Sequence, residues 1–280
     1  MAASTDLSGV ANDICVSNSL QMVERVGEGS FKETFRVINS GETMALKVYK
    51  SGSGNERNER EIDAMRRCNH PNIAKLFAIG SHRADNQAYL FVLEEFLGGG
   101  TLTRRIENSG LLTREKLIFL GRQLIGAVAH IQQLDLVHRD LKPDNILFRE
   151  DSDEAVITDF GIVRDLKRES ITQSWFLRGP GTYFFSPPEQ LNNEKHLIDW
   201  RTDQFSLGIL LAICIFGEHP YGNQNDVVDL VASRGKPSAH FNDLIIEKRL
   251  PVLKKMVEPW SANRYRNPIE LQEAWESQGG

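Results

Sequence analysis

The stretch His138-Arg139-Asp140-Leu141-Lys142-Pro143-Asp144-Asn145 is followed fourteen residues after Asn145 by Asp159-Phe160-Gly161. It places two carboxylates, an ammonium and an amide oxygen in a fixed order. A carboxylate such as Asp140 can orient a hydroxyl and accept its proton. An ammonium two residues on, Lys142, can neutralise charge on a moving group. Asn145 and Asp159 are hard oxygen ligands of the kind that suit magnesium. Together these residue types fit transfer of a phosphoryl group, a reaction that needs positioning and charge neutralisation more than covalent chemistry.

The order and spacing resemble the catalytic loop and metal motif of eukaryotic-type serine/threonine protein kinases. The resemblance extends over about residues 20 to 275. It implies ATP and Mg2+ as cofactors, with Asp140 and Lys142 catalytic and Asn145 and Asp159 on the metal. Val26-Gly27-Glu28-Gly29-Ser30-Phe31 resembles the glycine-rich loop, where a missing Cβ lets backbone approach phosphate. Ala45-Leu46-Lys47 resembles the strand carrying the phosphate-anchoring lysine, with Glu61 on the next helix as its expected ion-pair partner. The resemblance assigns Ala45 and Leu147 to the two faces of the adenine, and backbone groups of Glu95 and Leu97 to its edge. It sets Glu94 at the gatekeeper position, or Leu93 if the match shifts by one residue. Met65, Leu76, His138 and Phe160 match the apolar stack that ties the lobes.

Two positions depart from the family pattern. Lys32 stands where the loop's third glycine is expected, and Thr34 replaces the valine that caps the adenine. Kinases lacking the strand lysine use a lysine at the equivalent of Lys32; here Lys47 is present, and it is expected to do the work.

Gly181-Thr182 through Pro187-Pro188-Glu189 resembles the end of an activation segment that cradles an extended peptide. Glu189 is expected to pair with Arg266, and Asp203 to brace the catalytic loop. Lys142 with Thr182 resembles serine/threonine rather than tyrosine kinases, so the implied partner is a protein with a serine or threonine acceptor. Arg139 before Asp140 implies activation by phosphate, placed among Ser170, Thr172 and Ser174. Two other classes fit parts of the pattern. A nucleotide-binding pseudokinase is favoured only by Lys32, and a small-molecule kinase shares the loop but lacks the peptide platform.

The elements that must position these residues read as α+β: a small antiparallel-sheet N-terminal lobe with one helix, then a larger helical lobe. Residues 1–18 are small, polar and aperiodic and read as a mobile or loosely docked leader. The kinase domain is expected over 19–280, with the N-lobe to about 95, a hinge at about 95–100 and the C-lobe from about 101. Strand-like spacing runs from Leu20 to Tyr49, around Ile73–Gly80 and over Ala88–Phe96, with polar SHRADNQ as a connector. Glu59 to Asn69 reads as a charged helix.

Composition is that of an ordinary globular chain, 40% apolar and 25% charged over 280 residues. A net charge of −5 gives no basic field for nucleic acid. Three scattered cysteines suit reduced thiols. The longest apolar run, Phe205 to Gly217, is too short to cross a membrane and suits a buried helix. A cytoplasmic location, or that of a secreted effector acting in a host cytosol, follows as an expectation.

Overall fold

The computed structural model describes residues 6–29, 32–50, 66–159, 183–222 and 226–279. The chain splits into two compact units. Among the described residues, the first takes 6–69 and 74–98, and the second takes 70–73 and everything from Gly99 onward.

The first unit is a five-stranded antiparallel sheet of order β1-β2-β3-β5-β4. Its strands are β1 (Gln21–Glu28), β2 (Lys32–Asn39), β3 (Glu42–Tyr49), β4 (Leu76–Ala84) and β5 (Gln87–Glu95). Alternation decides the faces of β2, where Phe35 and Val37 are buried and their neighbours are less so. Two turns of two residues set the register. Ser40 and Gly41 both take positive φ, as do Asp85 and Asn86, the backbone that twists with the strands it joins. The polar SHRADNQ stretch is therefore mostly strand rather than connector, because Asp and Asn tolerate the left-handed conformation in the turn itself.

Residues 8–17, read as part of a mobile or loosely docked leader, are helical and docked. They form α1 (Ser8–Ser17), which packs against the sheet. Leu7, Ala11, Ile14 and Cys15 are at most 2% exposed. Their spacing of four, three and one residues draws a single stripe along a helix, which buries it in the same cluster as Phe35, Leu46 and Val48. The Leu7 N–H donates to the buried carboxylate of Glu33 at 3.3 Å, fixing the helix entry.

The second unit is helical apart from the two-stranded pair β6 (Ile146–Phe148) and β7 (Ala155–Ile157). Its described helices are α2 (Leu102–Ser109), α3 (Arg114–Gln133), α4 (Pro188–Leu191), α5 (Trp200–Phe216), α6 (Val227–Ala232), α7 (Ala239–Lys248), α8 (Pro251–Met256) and α9 (Pro268–Ser277). Thr113 caps α3, and a Cβ on Gly121 would lie 2.1 Å from the Trp275 ring, so glycine is what lets α9 close on α3. The apolar run read as a buried helix is α5, capped by Asp199 and ended by left-handed Gly217. Among the described residues no helix is long and apolar enough to cross a membrane.

Candidate active site

The catalytic loop is shaped from below by one carboxylate. Asp203, in the first turn of α5, has no exposed surface. It accepts the backbone N–H of His138 at 2.7 Å and of Arg139 at 2.8 Å. Burial pushes its carboxyl above the ordinary aspartate value, while the amide donors of His138 and Arg139 and the Arg139 charge pull the other way. Arg139 takes φ +64°, a conformation a non-glycine residue holds only when its surroundings fix it. The Asp203 bond and a bond from Gln190 Nε2 to the Arg139 carbonyl, at 2.9 Å, supply that restraint.

His138 closes the loop from its other side. Its Nδ1 accepts from the Asp140 N–H at 3.2 Å, which assigns the proton to Nε2, and Nε2 donates to the Thr158 carbonyl at 3.0 Å. The loop is thereby tied to the residue just before Asp159.

Two side chains meet Asp140 at Oδ2. Asn145 Nδ2 donates to Asp140 Oδ2 at 3.1 Å and to its backbone carbonyl at 2.7 Å, and Lys142 Nζ lies 3.3 Å from the same Oδ2. A short 3-10 turn, Pro143–Asn145, carries Asn145 into β6. There the Thr158 N–H donates to the Asn145 carbonyl at 3.0 Å, and the β6–β7 register pairs Ile146 with Ile157. That pairing brings Asn145 and Asp159 to the same end of the hairpin. Asp159 is half-buried with φ +61°. Because the amide nitrogen of Asn145 is committed to Asp140, its Oδ1 is oriented as a donor atom. Two hard oxygens, one neutral and one anionic, fit magnesium, which keeps most of its shell for water and phosphate. Leu147 pairs with Val156 on this hairpin and bridges to Thr101.

The residues expected on the nucleotide in the first unit lie on its sheet. Gly27 pairs with Thr34 across β1 and β2. Neither Gly27 nor Gly29 takes positive φ, and a Cβ on either would meet its nearest described neighbours at 3.7 and 3.5 Å, ordinary contacts. Among the described residues nothing requires glycine at either place. Ala45 and Lys47 lie two residues apart on β3 and are 6% and 5% exposed. The Glu95 N–H is taken by the Lys75 carbonyl at 2.9 Å, and Leu97 is buried.

Lys47 forms a close ion pair with Glu94, both groups buried. Glu61, the partner expected from the sequence, lies outside the described residues, as do Ser30, Phe31, Met65, Phe160, Gly161, Ser170, Thr172, Ser174, Gly181 and Thr182. The Glu94 contact carried no motif signal; it appears only once strand register is known.

A second expectation is corrected outright. Glu189 pairs with Arg264, not Arg266. The 3-10 turn Ser261–Asn263 delivers Arg264 inward, whereas Arg266 is exposed beside Asn267, the cap of α9. Phe184, just before the PPE stretch, is held by His219, whose Nε2 donates to the Phe184 carbonyl at 3.0 Å.

Comparison with known proteins agrees with this geometry. The chain is 27% identical over 91% of its length to a probable serine/threonine-protein kinase of Clostridium perfringens, of which the match spans 38%. It is 28% identical over 74% of its length to the serine/threonine-protein kinase atg1 of Dictyostelium discoideum, covering 32% of that protein. Smooth-muscle myosin light chain kinase of Gallus gallus is 31% identical over 75% of this chain and 11% of its own. The chain therefore spans less than half the length of these curated relatives. Among solved structures, Rad53 1-466 in complex with AMP-PNP is similar at TM-score 0.71 and 25% identity, covering 93% of this chain and 66% of that one. The protein kinase domain family matches residues 20–271, and the chain belongs to that family.

Proposed function

We propose that this chain is an ATP- and magnesium-dependent serine/threonine protein kinase, transferring the γ-phosphate to protein hydroxyls and phosphorylating its own activation segment. The observation that carries the reading is Asp140, held at Oδ2 by Asn145 and Lys142 on a loop braced by Asp203. Asp140 orients the acceptor hydroxyl and takes its proton. Lys142, already beside that carboxylate, offsets charge that grows on the transferred group. Asn145 Oδ1 and Asp159 would hold the magnesium, which when bound supplies charge neutralisation at the phosphates. Lys47 anchors phosphate oxygens of the nucleotide, and the glycine-rich backbone at Gly27 and Gly29 leaves them room. The AMP-PNP bound to Rad53, a similar structure, supports an adenine nucleotide as the ligand.

The test is transfer of label from γ-labelled ATP, with magnesium or EDTA, to a generic protein, a metabolite panel and the chain alone. Magnesium-dependent label on protein, lost in Asp140→Ala and in Asp159→Ala with folding intact, is the expected result. Label on a metabolite alone would assign a small-molecule kinase. Nucleotide binding without transfer would assign a pseudokinase.

A further inference from the structure

Lys47 and Glu94 sit at diagonal positions of one strand pair. β3 and β5 run antiparallel with Ala45 opposite Glu94 and Lys47 opposite Val92. Residues two apart along a strand share a face, so Ala45, Lys47 and Glu94 all point the same way. The methyl side chain of Ala45 leaves the space across which the lysine reaches the carboxylate. Both partners are nearly closed to solvent, at 6% and 9% side-chain exposure. Both strands are interior to the five-stranded sheet, so each backbone is hydrogen-bonded on two sides. Leu76 of β4 flanks Glu94 opposite Ala45. The carboxylate therefore sits on one of the stiffest parts of the unit.

A buried ion pair is a poor device for stability, since its desolvation cost consumes most of the attraction and an apolar pair of similar volume does as well. What it supplies is position. An ammonium facing a carboxylate fixed to the sheet is restricted in where it can sit, and orientation settled before substrate arrives lowers the barrier to reaction. We propose that Glu94 is a positioning residue for phosphoryl transfer, a counter-ion built into the sheet that sets where the Lys47 ammonium meets the nucleotide phosphates. The inference rests on the kinase reading above.

The test compares the whole chain with Glu94→Gln, Glu94→Asp, Lys47→Met and the Lys47→Met/Glu94→Gln double variant. Each is measured for kcat and KM for magnesium-ATP and for its melting temperature. Glutamine keeps the length and an acceptor oxygen but loses the charge, so Glu94→Gln is expected to fold. It should lose on the order of 10- to 100-fold in kcat at saturating ATP, more than any change in KM. Glu94→Asp, with the charge one methylene short, should recover part of the rate. In the Lys47→Met background, Glu94→Gln should take away nothing further, because its effect runs through the lysine. A purely structural role would lower melting temperature and leave the rate of folded enzyme alone. An active wild type with a Glu94→Gln kcat unchanged or raised overturns this inference alone, a raised rate making Glu94 a brake. Full extra loss in the double variant overturns it as well. A wild type that transfers no phosphate overturns the kinase reading and this inference with it.

Discussion

Arg264 grips Glu189 with two prongs, Nη1 to Oε1 at 2.7 Å and Nη2 to Oε2 at 3.1 Å, across 75 residues of sequence. Neither side chain is more than 2% exposed. The guanidinium is satisfied further by the carbonyls of Glu258, Pro259 and Arg201, and Thr202 Oγ1 donates to Glu189 Oε1 at 3.2 Å. The end of the PPE segment is thus fastened to α5 and to the turn before α9.

Breaking such a pair strands one buried charge. Arg264→Met should destabilise the second unit by roughly 3–5 kcal/mol, whereas Arg266→Ala, at an exposed position, should cost less than about 0.5 kcal/mol. Urea unfolding followed by tryptophan fluorescence measures both. Equal effects, or a larger one at Arg266, would remove the assignment.

How much of this was legible in the sequence depends on what fixes each residue. Asp140, Lys142, Asn145 and Asp159 follow one another at a fixed motif spacing, so their types and positions are readable directly. Arg264 is set by which way a 3-10 turn points it, which no spacing announces, and Arg266 two residues on was the wrong choice. The stripe of Leu7, Ala11, Ile14 and Cys15 was present in the sequence but diluted by small polar neighbours, and a helix without a strong cap or charge pattern reads as a leader. The Lys47–Glu94 pair depends on the register of β3 against β5, a long-range fact set by the hairpin turns and the packing of the whole sheet.

The two lysines near the nucleotide loop should differ sharply. Lys47 is interior to β3, buried and faced by Glu94, while Lys32 is the first residue of β2 and only partly buried. Lys47→Met should lower the rate by on the order of 10²–10³-fold, as loss of one fixed electrostatic contact does, and Lys32→Gly much less. Steady-state transfer assays at saturating ATP rank them. The reverse order would mean that this chain uses Lys32 as its phosphate anchor.

Phosphate on residues 170–174 should raise activity. These residues lie outside the described ones, and the expectation comes from Arg139, which directly precedes Asp140 on a backbone locked by Asp203 and Gln190. A guanidinium pairs strongly with phosphate, through two parallel charge-assisted hydrogen bonds. Incubation with magnesium-ATP followed by peptide mapping should find phosphate on Ser170, Thr172 or Ser174. Full activity in the triple alanine variant would end the idea.

Acid should loosen the seat of Phe184 through His219. The His219 side chain is buried, Nε2 donates to the Phe184 carbonyl, and Nδ1 accepts the Tyr221 N–H at 3.2 Å. Its ring lies 4.7 Å from that of Phe184. Burial lowers its pKa to about 4, against an ordinary value near 6.5. Between those values the unfolded chain takes up a proton that the native chain refuses. Stability from this group is therefore complete above about pH 6.5 and is lost as pH falls toward 4, by up to roughly 3 kcal/mol. Asp203 acts with the opposite sign, since its raised carboxyl gains a proton in the native state as pH falls. The whole-protein curve mixes the two, but a comparison with His219→Gln separates them because Asp203 is common to both. Thermal unfolding at pH 8, 6.5 and 5 should show the wild type ahead at pH 8, with the gap closing as the buffer turns acid. Parallel curves would mean that His219 does not titrate across that window.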